Sequence, residues 1–431
     1  MNEFFKLKEN NTTVKQEVIA GITTFMTMAY ILIVNPLILK DAGMDPGAVF
    51  TATVVSSIVA TLIMGLYAKL PFAQAPGMGL NAFFAYTIVL QMGYSFEFAL
   101  TAVFLEGIIF ILLTIFNVRE AIVDSIPANI KKAISVGIGL FIALLGLEAA
   151  GVIKTGDTIL QLGDITSGTG LLAIIGILIT GILVARKVKG ALFLGMIITT
   201  IIGIPMGVID LPKQIMSMPP SMADTFLKFD FSNVFSFDMV IVLFTLLFMD
   251  MFDTIGTLVG VATKANMLDE NGKVPNIKKA LFADAIGTTV GACLGTSTVS
   301  TYVESASGVA EGGRTGLTAV STAFMFFLAL FFSPLFGVIS SAVTASALVI
   351  VGLFMMETVK EIDFSDYTEA IPAFLTIIMM PFAYSIAEGI AFGIISYVVI
   401  KLFSGKRKEI SITTYIIAIV FILKFVIDKL I

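Results

Sequence analysis

Long apolar runs alternate with short polar connectors along the chain. They fall at about 18–39, 47–68, 74–92, 97–117, 131–150, 170–186, 190–209, 237–261, 279–294, 302–313, 316–333, 337–357, 370–384, 386–403 and 411–430. Most are continuous rather than alternating, so they predict helices and exclude a closed β-barrel. Many reach the roughly 20 residues a helix needs to cross a bilayer. Two runs break the pattern. One contains "AQAPGMGLN", from Ala73 to Asn81, and the other contains "LGTSTVSTYVESASG", from Leu294 to Gly308. Both are too short and too polar for an ordinary span. The first predicts an extended piece interrupted at Pro76 and Gly77, then a half-helix beginning near Met78 or Gly79 with Asn81 in its first turn. The second predicts the same arrangement around Ser300 to Val303.

The breaks lie about 220 residues apart, and other landmarks share nearly that offset. A duplication of seven spans produces this spacing. Seven is odd, so the two halves run through the membrane in opposite directions. Paired broken segments in inverted halves point to a transporter with its binding site near the membrane midplane. Irregular backbone at that depth is tolerated only where it lines a cavity or is buried in protein. The expected architecture is therefore all-α and polytopic, with about 14 transmembrane helices. Residues 1–17 form a cytoplasmic N-terminus, 18–210 the first repeat, 236–403 the second, and 404–431 a basic loop with an extra hydrophobic helix.

Composition agrees with that class: 57% of residues are hydrophobic and 13% charged. Basic residues set the orientation. With the N-terminus inside, the cytoplasmic loops hold twenty Lys and Arg, among them Arg119, Lys273 and the run Lys406–Lys408. The opposite side holds Lys40, Lys154, Lys213 and Lys228. That asymmetry is a positive-inside signal. The single Cys293 gives neither a disulfide nor a metal cluster, and no cofactor is expected. There is no His, so a proton handled near neutral pH must travel on a carboxylate rather than an imidazole.

Ionisable groups inside spans are costly and are functional candidates. Asp250 and Asp253 sit three apart on one helix face. Glu304 follows the second break. These three are the first candidates, with Asp250 in a supporting role. Glu106 and Asp284 read as structural pairs across helices, and Glu148, Glu357 and Glu388 as solvated. Glu311 and Arg314 read as an ion pair fixing a turn. Phe83, Phe84 and Tyr302 flank the breaks, where a flat ligand could stack. "GIGL" at 137–140 and "IVGL" at 350–353 occupy matching places and read as close helix contacts.

Three stretches carry a resemblance: "QAPGMGLNAFFAYT", "DMFDTIGTLVGVA" and "TSTVSTYVESASGVAEGGRTGLTA". With "GITTFMTMAYILIVNP" near the start, they closely resemble the AzgA-like purine permeases of the nucleobase–ascorbate transporter superfamily. The resemblance covers nearly the whole chain. It implies a core domain of spans 1–4 and 8–11 and a gate domain of spans 5–7 and 12–14, with short strands in spans three and ten. It implies import of purine nucleobases, guanine and hypoxanthine with adenine as a further candidate, by proton symport and elevator-type alternating access. Residue types alone also allow Na⁺. The carried-over site is Asn81, Asp253 and Glu304, with Val303, Phe83 and Thr257 beside them and Gly79, Tyr302 and Asp250 in support. Asp253 and Glu304 are the implied proton carriers. Thr257 stands where relatives can carry His. In that picture Glu304 accepts two N–H groups of a guanine-like edge, a backbone N–H at Val303 or Glu304 meets the carbonyl oxygen, and Asn81 both donates and accepts. A homodimer in the plasma membrane is implied, with no nucleic-acid partner. The competing readings are a same-fold transporter of another planar solute or an inorganic anion, and an intramembrane enzyme. Two carboxylates disfavour an anion. An enzyme would lack metal ligands, and the paired Asp lie on one helix without a Gly-x-Gly-Asp setting.

Overall fold

The computed structural model describes residues 2–116, 127–154, 160–212, 214–264, 267 and 274–427. Arg119, Lys213 and Lys273 of the charge argument lie outside them.

Helices α1 (Val14–Met28) and α2 (Ile31–Asp41) together form one apolar rod, followed by α3 (Pro46–Ile63). Thr13 caps α1 by accepting from the Gln16 amide, and Asp45 caps α3 just before a Pro at its first position. Strand β1 (Gln74–Pro76) leads into α4 (Met78–Ala82), which continues as π-helical turns through Phe83–Gln91. Then come α5 (Phe96–Ile115), α6 (Ala128–Ala149), a small hairpin of β2 (Ile153–Lys154) and β3 (Gln161–Leu162), α7 (Gly168–Ala185) and α8 (Ala191–Gly203). The second half holds α9 (Phe237–Lys264), α10 (Ile277–Leu294), β4 (Val299–Thr301), α11 (Ser305–Ala310) and α12 (Gly316–Ala329). It continues with α13 (Ser333–Gly337), α14 (Ser341–Met356), α15 (Tyr367–Phe382), α16 (Ile386–Phe403) and α17 (Ile412–Ile427). Among the described residues nine helices are long and apolar enough to cross a membrane, and four shorter apolar helices accompany them. The chain is an integral membrane protein.

The helices pack in two groups. In one, α1, α3, α5, α10 and α12 surround the two breaks; in the other, α6, α7, α14, α15 and α16 pack on each other. Small residues permit the close approaches. The expected glycine contact is present: a Cβ on Gly139 would lie 2.6 Å from the Gly352 carbonyl oxygen, so α6 and α14 touch backbone to backbone. In the first group Glu17 of α1 is fully buried. It caps α12 by accepting from the amides of Arg314, Thr315 and Thr318 and from the hydroxyls of Thr315 (2.8 Å) and Thr318 (2.7 Å).

One expectation is corrected here. Glu311 and Arg314 do not pair with each other. Glu311 takes Lys189, while the Arg314 guanidinium donates to the carbonyls of Val309 (2.6 Å) and Gly313 (2.8 Å). Gly312, with a φ of +98°, turns the chain between them, so sequence spacing no longer measures proximity.

Candidate functional site at the crossing strands

The two breaks meet. β1 and β4 form an antiparallel ladder that pairs Gln74 with Thr301, Ala75 with Ser300 and Pro76 with Val299. The Gly77 amide donates to the Thr298 carbonyl (3.0 Å), and the Tyr302 amide donates to the Ala73 carbonyl (3.0 Å). Side chains finish the backbone accounting. The Thr61 hydroxyl serves both Gln74 N–H and C=O, and the Ala73 amide donates to the Ser305 hydroxyl at 3.0 Å. This answers the cost of irregular backbone at membrane depth.

The first half-helix begins at Met78, as the sequence predicts. The second begins later than expected, at Ser305, because β4 runs through Thr301 and Tyr302 stays in the ladder. Glu304 therefore sits at the entrance to α11.

Asp253, on α9, accepts from the Ser300 hydroxyl at 2.8 Å. Gly77 is what permits this approach: a Cβ there would lie 2.8 Å from Ser300 Oγ and 3.5 Å from Asp253 Oδ2. Glu304 accepts from the Tyr30 hydroxyl at 2.7 Å. An ionised carboxylate has about four acceptor positions, so one hydroxyl on each leaves capacity for a ligand. Asp253 is exposed and Glu304 half-buried, and the α9 face continues through exposed Gly256 and Gly260, where an added Cβ would meet nothing within 4 Å. Val303 is exposed as well, and Thr257 is half-buried.

Other candidates lie differently. Asn81 is fully buried; its Oδ1 accepts from the Ser297 hydroxyl, and its Nδ2 has no partner among the described residues. It ties the first break to the second instead of facing open space. Phe83 and Phe84 are wholly buried in the apolar core, so in this conformation neither offers a ring to a ligand. Tyr302 is also buried, and its hydroxyl donates to the Pro76 carbonyl at 2.5 Å. Gly79 packs on α6, with Ile138 Cγ2 at 2.9 Å from an added Cβ. Asp250 is fully buried and faces the Thr254 hydroxyl. Glu106 and Asp284 make bonds across helices, Glu106 to Thr298 and Asp284 to Thr254 and Gln74. Among the described residues no group of acidic, His or Cys side chains is arranged to hold a metal ion.

Two residues escape sequence reading. Tyr30 lies in an unremarkable apolar stretch, "AYILIV", and only the fold brings it to Glu304. Ser300 is one hydroxyl among many, and only strand register aims it at Asp253. A third feature is a ring cluster that joins the helix groups. Tyr86, Phe141 and Tyr384 form an edge-on ring cluster, with Phe141 and Tyr384 at 5.2 Å and Tyr86 and Tyr384 at 6.3 Å. The Tyr86 hydroxyl donates to Asp41 (2.8 Å) and the Tyr384 hydroxyl to Glu148 (2.7 Å). Glu148 is thus bonded and half-buried, against the solvated position expected of it.

Residues 15–423 match the Permease family of xanthine and uracil permease type. The chain is 46% identical to the guanine/hypoxanthine permease PbuG of Bacillus subtilis, covering 100% of both chains. It is 44% identical to the adenine permease AdeP of Escherichia coli over 99% of this chain and 96% of that one. In fold it is similar to the transmembrane domain of the cyanobacterial bicarbonate transporter BicA, with a TM-score of 0.65 at 17% identity, covering 86% of this chain and 96% of that domain.

Proposed function

From the premise that this chain belongs to the Permease family, we propose that it imports purine nucleobases by proton symport. As a permease it is a transporter and not an enzyme. The observation that carries the reading is the pair of carboxylates at the paired breaks, Asp253 bonded to Ser300 of β4 and Glu304 at the entrance to the half-helix that follows it. A purine such as guanine presents adjacent N–H donors along one edge. Glu304, oriented by Tyr30, accepts them in a bidentate contact, and Asp253 meets a further ring N–H. Two carboxylates repel an anion, which argues against carriage of an anionic solute. Relatives named for guanine/hypoxanthine and for adenine support a purine without choosing between them.

The finer reading is of 14 spans in two inverted repeats, with the helices around the breaks as a core and α6, α7, α8, α14, α15 and α16 as a gate. The N-terminus is cytoplasmic and the membrane is the plasma membrane. Substrate sits between core and gate, and the core moves as an elevator. The closed Tyr86–Phe141–Tyr384 cluster and the open face at Gly256 and Gly260 support an inward-facing state. Asp253 and Glu304 carry the coupled proton, since the chain has no His.

The test is uptake of radiolabelled hypoxanthine in cells lacking their own purine permeases. Unlabelled guanine, adenine, xanthine and uracil compete, with and without a protonophore. Inhibition by a purine and loss with protonophore are expected. Absence of uptake of any purine overturns the substrate. Accumulation that survives the protonophore overturns proton coupling.

A further inference from the structure

Behind the ladder, on the side away from the open face, lies a second acidic group. Among the described residues five charged side chains are buried: Glu17, Glu106, Asp250, Asp284 and Lys401. Glu17 caps α12, and Lys401 pairs with Glu369 and Glu409 at the far end of α16. The remaining three are carboxyls on α5, α9 and α10. These helices meet here, where Phe110, Met251 and Ala285 pack together.

The Thr254 hydroxyl stands between two of the carboxyls, 3.2 Å from Asp250 Oδ1 and 2.7 Å from Asp284 Oδ1. It owns one hydrogen. Two ionised carboxylates sharing that hydrogen in a buried site repel each other. The contact is attractive at both ends when Thr254 donates to one carboxyl and the other, protonated, donates to the Thr254 oxygen. A further residue joins the group. The Gln74 carboxamide is fully buried and reaches this group through Nε2, 3.4 Å from Asp284 and 3.1 Å from Thr301 Oγ1, while its Oε1 acceptor has no partner among the described residues. The Gln74 amide and the Thr254 hydroxyl meet at the same oxygen, Asp284 Oδ1, so Gln74 belongs to the same hydrogen-bonded group.

Charged neighbours on the packed elements do not change this. α9 adds Asp253 at the open face, Asp238 in its first turn and Lys264 as its last residue, and α5 adds Glu97 beside the Glu106 already named. α10 adds Lys278 and Lys279, about a turn and a half from Asp284 and exposed. α3, β1 and β4 carry no charged residue.

We propose that Asp250, Asp284, Thr254 and Gln74 form a second proton-binding site, distinct from the carboxylates that meet the base and linked to them. The link is short. Thr254 follows Asp253 on α9, and Gln74 lies in the strand that pairs with Ser300, the hydroxyl on Asp253. Occupancy of this proton responds to base binding at Asp253. The inference deepens the proton-symport reading and rests on it for its role in transport.

Infrared difference spectroscopy on purified, ligand-free protein tests it without requiring transport. At neutral pH the wild-type protein is expected to show the carbonyl band of a protonated carboxyl, shifted on exchange into D₂O. Asp284→Asn or Asp250→Asn removes that band. Thr254→Val leaves both carboxyls in place, so it serves if an Asn variant fails to fold, and it shifts the band to higher frequency as a hydrogen bond is lost. A band unchanged by all three variants overturns the proposal. Guanine is then added to the wild-type protein. A shift in the band supports the link; binding by calorimetry with an unmoved band overturns it. Absence of any purine binding defeats the substrate reading instead, and leaves the band assignment intact.

Discussion

The two breaks occupy corresponding places in the chain but are built from different material. The first, "AQAPGMGLN", is built mostly of small residues with two carboxamides and no hydroxyl, and it runs into a continuous helix from Met78 to Gln91 whose leading turns are buried. The second, "TSTVSTYVES", is rich in hydroxyls and leads into a helix of only six residues. The first contributes glycine, proline and a carboxamide turned inward. The second contributes Ser300, an exposed Val303 and Glu304. One break is a wall that lets the other come close, and the other carries the charge. The two breaks share a shape, a short strand leading into a helix, but not a composition.

This contrast can be attacked from the strongest expected effect downward. Glu304→Gln keeps the size of the side chain and removes the charge proposed to accept the base. Loss of a charge-assisted contact of about 3 kcal/mol lowers uptake by about a hundredfold, read as kcat/KM in the hypoxanthine assay. Uptake within a few-fold of wild type would locate the charge elsewhere. Gly77→Ala acts from the wall side. Its methyl meets Ser300 Oγ at 2.8 Å, and overpacking of this kind costs about 2 kcal/mol. Uptake falls and thermal stability drops together. Next is Tyr30→Phe, which leaves Glu304 charged but unoriented. A fall of about tenfold, mostly in KM, is expected from losing one hydrogen bond to a charged group. The smallest effect is expected for Asn81→Ala. The Ser297 link between the breaks is lost at about 1 kcal/mol, seen as a lower melting temperature with uptake reduced only a few-fold. If Asn81→Ala proved as severe as Glu304→Gln, the wall would also be a contact.

Much of this arrangement is legible in the sequence because its causes are local. Pro76 followed directly by Gly77 is a strong local break, and the start of α4 at Met78 follows from it. The glycines at 139 and 352 announce a close approach by having no side chain. What the sequence hides depends on contacts between distant segments. Three-residue strands carry no periodicity, so the ladder of β1 with β4 cannot be read from either alone. Tyr30 lies 274 positions from Glu304, in a stretch whose composition says only lipid. Glu311 and Arg314 misled for a related reason. Their spacing would pair them on a helix, but Gly312 and Gly313 turn the chain, and Lys189 from the other half takes the carboxylate. Phe83 and Asn81 sat where a contact was expected, yet helix phase turned both inward.

The ladder also constrains the order of events during synthesis. The Gly77 amide and the Ala73 carbonyl find their partners at Thr298 and Tyr302, which leave the ribosome more than two hundred residues later. Until then the first break must wait with those groups unpaired, in a setting where unpaired backbone is costly. Thr61, already made, satisfies both backbone groups of Gln74 in the interval. A helix–break hairpin assembled this way is held by one local hydroxyl and completed by the last third of the chain. Truncation before Val299 therefore leaves an unfinished edge inside the bilayer, a natural signal for membrane quality control.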